Sequence, residues 1–233
     1  MITGEQLLEV FSAYNQMIWP FQIVAYILGI LAIIFGFKKS LLSTRITTAV
    51  LAFFWLWVSI LFWYPSAQQG FSPGYIFSVV FLVQGILFSY FIVKPKLRFG
   101  TYSVSYTWIG LICIFYAMFG YFLFGILIDH IYPKTPPFGL TPCPLIIFTF
   151  GILMLSSQKI PKILLVIPFL FSLSGILWIT IGIWEDIGLI LASIICVFLI
   201  LKRDKNLTNP SLSTPLDHSE KTWSLDISEN SNS

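Results

Sequence analysis

The sequence predicts an all-α protein, a polytopic transmembrane bundle of seven spans with the N-terminus outside and the C-terminus cytoplasmic. Three observations predict it. The chain is 57% hydrophobic and 18% aromatic but only 10% charged, where soluble domains carry about 25% charged residues. Apolar runs recur along most of its length, many of them near the roughly 17 to 25 residues that an α-helix needs to cross a bilayer. The basic residues fall between those runs in small groups, and nearly all of them fall on one side if every run crosses.

Residues 1–16 place Thr3 and Gln6 at capping-box spacing and set Leu7, Leu8, Phe11, Tyr14 and Ile18 along one face. This pattern predicts a short amphipathic helix on the membrane surface. The acidic Glu5 and Glu9 stand where a signal peptide would carry positive charge, so the first apolar run is expected to stay in the mature protein. The bundle is expected over residues 17–203. Its first span covers about 19–37, from Trp19-Pro20 to Lys38-Lys39, and its second about 46–64, with Trp55, Trp57, Trp63 and Tyr64 toward the outer interface. The third and fourth cover about 73–93 and 104–128, closed by Lys94-Pro95-Lys96 and by Asp129-His130. The fifth, about 141–155, follows a proline-rich loop; the sixth and seventh cover about 163–183 and 187–201, joined by the turn Trp184-Glu185-Asp186. Beyond Arg203 the chain turns to Ser, Asn, Asp and Thr, and 204–233 reads as a disordered cytoplasmic tail.

The fifth segment is short enough to be a re-entrant piece, which leaves six spans plus a re-entrant segment as the alternative. Charge favours seven. With every segment crossing, Lys38, Lys39, Arg45, Lys94, Lys96, Arg98, Lys159, Lys162, Lys202, Arg203 and Lys205 share one side, and only Lys134 among the loop residues lies opposite. The positive-inside rule makes the crowded side the cytoplasm. If the fifth segment turned back, Lys159 and Lys162 would move outside and Glu185-Asp186 would move in.

Composition also excludes function classes. The net charge of +3 is spread over short groups and forms no basic stripe, so nucleic acid is not an expected partner. The expected partner is the lipid bilayer, with a homo-oligomer or another membrane protein as further candidates. Three cysteines give neither a disulfide framework nor a CxxC pattern, and no cofactor is expected. No ionisable residue lies in the middle of a predicted span, which disfavours a proton-coupled pump and a retinal protein. No internal repeat supports an inverted-repeat transporter.

The candidate site residues are Cys143, Thr141, His130, Asp129, Glu185, Asp186 and Gln84. Cys143 stands between Pro142 and Pro144; with Thr141 as N-cap and Pro142 as first helical residue, its thiol lies in the first helical turn. There the helix dipole favours thiolate. Asp129, His130, Glu185 and Asp186 share the outer side, and Cys143, His130 and Glu185 are the candidate ligands of a mixed S/N/O cation site. Each also has a structural reading: acids before a helix cap it, Asp129-His130 ends one, and prolines start one. Gln84 is an amide at membrane depth that needs an interhelical partner or a wet cavity. Cys113 and Cys196 lie on small-residue faces with Gly110, Ala117 and Gly120 and with Gly188 and Ala192, and read as packing residues.

The stretch from Tyr132-Pro133 through Phe138-Gly139-Leu140-Thr141-Pro142-Cys143-Pro144 to Ile147-Phe148-Thr149-Phe150-Gly151 resembles an uncharacterised bacterial family of multi-pass membrane proteins. Ala13-Tyr14-Asn15, Trp19-Pro20 and Glu185-Asp186-Ile187-Gly188-Leu189 extend the resemblance over residues 1 to about 201. That family is a domain of unknown function, at times labelled a transporter permease. The resemblance implies a bacterial plasma (inner) membrane location and supplies no catalytic residues. Three functions stay open: permease-like solute handling past Gln84 and Tyr116, metal or thiol handling centred on Cys143, and a non-catalytic assembly partner. An enzyme is the least favoured class.

Overall fold

A computed structural model describes residues 3–208; of the tail expected over 204–233, residues 204–206 instead continue the last helix and 209–233 lie outside the described residues. The described chain forms eight helices: α1 (Gly4–Met17), α2 (Phe21–Gly36), α3 (Leu41–Gln68), α4 (Pro73–Val93), α5 (Val104–Leu127), α6 (Pro142–Met154), α7 (Ile163–Thr180) and α8 (Asp186–Asn206). No strand occurs among the described residues; Phe99 and Ser156 form one isolated antiparallel bridge. Four helices, α3, α4, α5 and α7, are long and apolar enough to cross a membrane. The pair α1 and α2, bent by 87° at its junction, makes a fifth if counted as one span.

The capping box closes as the spacing predicts, with the Gln6 backbone donating to Thr3 Oγ1 at 3.3 Å and the Thr3 backbone to Gln6 Oε1 at 3.0 Å. The buried face of α1 is Phe11, Tyr14 and Asn15. Tyr14 donates to the Leu140 carbonyl at 2.8 Å, and Asn15 Nδ2 donates to the Pro133 and Thr135 carbonyls at 2.7 Å each. The helix therefore clamps the proline-rich loop that precedes α6.

At the center runs α6, and every residue from Pro142 to Met154 is buried. Helices α3, α5 and α8 sheathe it. Gly110 and Gly151 permit the closest approach: a Cβ on Gly151 would lie 2.7 Å from Ile114 and 2.8 Å from the Gly110 carbonyl. The other helices turn apolar side chains outward, such as Ile27, Ile30 and Ile34 on α2, Ile76, Val79 and Ile86 on α4, and Leu191, Ile194 and Phe198 on α8. Exposed apolar faces of this extent suit hydrocarbon better than water.

The helix ends gather at two poles. At one, the start of α6 meets the start of α8 and the end of α5. At the other, the chain after α6 meets the end of α8 and the α4–α5 connection. Arg203, fully buried, donates from Nη1 to the Ser156 carbonyl at 2.9 Å and from Nη2 to Asp204 at 3.0 Å. Asp204 in turn accepts from the Ile160 backbone at 2.9 Å, and Ser156 donates to the Arg98 carbonyl at 3.0 Å. Helix α8 extends beyond the end of the predicted seventh span, because this network orders its last turns.

Two helices depart from regular geometry. In α3 the residues Val58–Trp63 form a π-helical turn, and Ser59 and Ser78 exchange hydrogen bonds with each other's carbonyls at 2.7 and 2.9 Å, joining α3 to α4. In α5 the π-helical turn is Tyr116–Gly120, closed by the Tyr121 N–H on the Tyr116 carbonyl.

Candidate functional site

The first pole of the bundle holds a buried polar cluster. Glu185 and Asp186, both fully buried, lie at the start of α8. His130 Nδ1 and Glu185 Oε1 are 2.7 Å apart, with the His130 side chain 13% exposed and so nearest to solvent. The Tyr121 hydroxyl donates to Asp186 Oδ1 at 2.6 Å, and the Cys143 thiol donates to Asp186 Oδ2 at 3.4 Å. Tyr116 donates its hydroxyl to the Glu185 carbonyl at 2.8 Å. Thr135 donates to the His130 carbonyl and holds that residue from behind.

Local structure explains why these groups meet. Tyr116 and Tyr121 are five residues apart, which on an ordinary helix of 3.6 residues per turn separates them by about 140°. The wider π turn between them turns both rings toward α8. Cys143 sits in the first turn of α6, with Thr141 extended at φ −130° and Pro142 as first residue, as the sequence predicts. The Thr141 hydroxyl, however, donates to the Pro137 carbonyl at 2.8 Å and does not cap the helix. The amino ends of α6 and α8 thus converge on Asp186.

Four of the residues nominated from sequence, Cys143, His130, Glu185 and Asp186, come together here as two hydrogen-bonded pairs on adjacent carboxylates. They do not form a metal cage: no group of three or more His, Cys, Asp or Glu side chains among the described residues is arranged to hold a metal ion. Asp129 is exposed and takes a positive φ of 63° at the end of α5, where its role is to turn the chain. Gln84 lies elsewhere. Its Nε2 donates to the Leu164 carbonyl at 3.1 Å, the acceptor that Pro168, four residues on and lacking an N–H, leaves free within α7.

Sequence reasoning did not single out Tyr121, Thr135 or Asn15. Tyr121 lies among Phe119, Tyr116 and Phe122, and nothing in an aromatic run marks which hydroxyl is buried on a carboxylate. One polar atom in the cluster stays unsatisfied, since Glu185 Oε2 is buried without a hydrogen-bond partner. A cavity of about 130 Å³ adjoins the cluster, lined by Asn15, Gln22, Tyr26, Tyr121, Tyr132 and Thr135 among others. A larger groove of about 730 Å³ lies away from it, beneath α1, between Trp63, Phe71, Phe77 and Trp178. Neither cavity is lined by Gln84.

No curated protein and no solved structure matches the chain. A family model does match, over residues 4–209, the whole of the helical region from Gly4 to Asn206. The chain belongs to that family, the family of unknown function DUF6064.

Proposed function

We propose that the protein is a seven-span bacterial plasma-membrane protein that handles a small cationic or hydrogen-bond-donating solute from outside, with Glu185 and Asp186 as its acceptors. The observation that carries this is the unsatisfied Glu185 Oε2, an acceptor buried beside a second buried carboxylate that is already held by Tyr121 and Cys143. A buried polar atom without a partner calls for a donor that ligand or water brings. The cavity of about 130 Å³ is lined by Tyr121 and Thr135, the hydrogen-bond partners of Asp186 and His130.

Orientation rests on charge and on α6. The pole around Arg203 collects Lys38, Lys39, Arg98, Lys159, Lys162, Lys202 and Lys205, and among the described residues the pole around Glu185 has only Lys134, whose ammonium pairs with Glu9 at 2.9 Å. The Arg203 pole is the cytoplasmic one by the positive-inside rule. Helix α6 runs from one pole to the other, which supports a crossing and not a return. Its 13 residues rise only about 20 Å at 1.5 Å per residue, and its protein sheath removes the need to match the hydrocarbon thickness.

Thermal stabilisation of the purified protein by methylammonium tests the reading, with Zn²⁺ in parallel. Saturable stabilisation by methylammonium that Glu185→Gln abolishes and Gln84→Leu retains is the expected result. Stabilisation that survives Glu185→Gln, or none at all, overturns the reading. The metal- or thiol-handling alternative has one observation in its favour, the contact of Cys143 with Asp186. It requires Zn²⁺ binding that Cys143→Ser removes.

A further inference from the structure

Cys113 on α5 and Cys196 on α8 are separated by 83 residues, yet their sulfurs lie 3.5 Å apart. Each stands near the middle of its helix, Cys196 fully buried and Cys113 7% exposed. Both are free thiols. A small residue lets the two helices approach, because a Cβ on Gly188 of α8 would lie 2.1 Å from the Tyr116 ring of α5. Packing alone needs two small apolar residues here; it does not need two sulfurs in contact.

We propose that Cys113 and Cys196 are a redox-active dithiol that closes to an interhelical disulfide when a lipid-soluble oxidant of the quinone class reaches it. A disulfide bond of about 2.05 Å requires the sulfurs to approach by about 1.5 Å, a small adjustment of two side chains. The step balances: two thiols lose two electrons and two protons, the S–S bond forms, and the quinone takes up both to become a hydroquinone. Burial selects the oxidant. A thiol at mid-span is closed to a charged, water-soluble disulfide, whereas a quinone partitions into the hydrocarbon beside Cys113, the more exposed of the two. Closure ties α5, which carries Tyr116 and Tyr121, to α8, which begins at Asp186. The dithiol stands on its own geometry and does not depend on the solute reading of the Glu185 cluster.

The test uses the full chain in lipid nanodiscs, treated with decylubiquinone in one arm and glutathione disulfide in the other. The expected result is a linked Cys113–Cys196 peptide within one chain, one equivalent of quinol formed, and no linkage with glutathione disulfide. Cys143→Ser should retain the linkage, and either Cys113→Ser or Cys196→Ser should abolish both linkage and quinol. The proposal is overturned if quinone leaves both thiols open to alkylation after solubilisation. It is equally overturned if the linkage joins two chains, or if glutathione disulfide closes the pair as readily.

Discussion

Glu185 and Arg203 mark the two poles of the molecule, and each is a buried ionisable residue met by named partners. Arg203 satisfies the Ser156 carbonyl and Asp204 from a site with no exposure. Without Arg203 the Ser156 carbonyl loses its side-chain donor and Asp204 keeps only the Ile160 N–H, so Arg203→Ala is expected to cost about 1 to 3 kcal/mol, read as a lowered unfolding midpoint in detergent. At the other pole Tyr121→Phe removes a donor to Asp186 and is expected to cost about 1.5 to 3 kcal/mol, the range for a hydrogen bond to a charged group. Gln84 gives a sharper test because its partner is a carbonyl that a proline sets free. Gln84→Leu should destabilise by about 1 kcal/mol, and less once Pro168→Ala lets α7 satisfy Leu164 itself. A double-mutant cycle with no coupling between the two positions would refute that account. Much of the Glu185 cluster was legible residue by residue: acids before a helix, a histidine after one and a cysteine between prolines all pointed to the same side. Tyr121 was not legible, since its part depends on a π turn that no hydrophobic period announces. The contact between Cys113 and Cys196 was not legible either, because spacing shows that each lies on a small-residue face but not that the two faces oppose.

Among the elements, α6 sets the architecture. Its amphipathicity is nil because protein surrounds it on every side, and this is why the sequence left its nature open: a short, uniformly apolar run reads alike as a re-entrant piece and as a buried helix. Helices α3, α4, α5 and α7 keep an outward apolar side and were readable by length and composition. Close packing at Gly110 and Gly151 makes the sheath intolerant of volume. Gly151→Ala places a methyl 2.7 Å from Ile114, and overpacking of this kind is expected to cost about 1 to 3 kcal/mol, seen as a lower melting temperature. Ser89→Ala, at a half-buried position of α4 where the hydroxyl bonds only its own helix, adds no volume and should cost far less.

For the whole molecule, the proposed function requires one arrangement: α6 crossing, the Arg203 pole cytoplasmic, and the buried Glu185 cluster facing outside. The charge distribution and the run of α6 between the poles both support it, and the solute reading depends on it. Lys159, exposed in the connection after α6, separates the alternatives, with Tyr132, exposed in the loop before α6, as the outside reference. The direct measurement is labelling of Lys159→Cys and Tyr132→Cys in intact cells with a membrane-impermeant maleimide. Labelling of Tyr132→Cys in intact cells, with Lys159→Cys labelled only after permeabilisation, is the predicted result; labelling of Lys159→Cys in intact cells would contradict the arrangement and the outer site built on it.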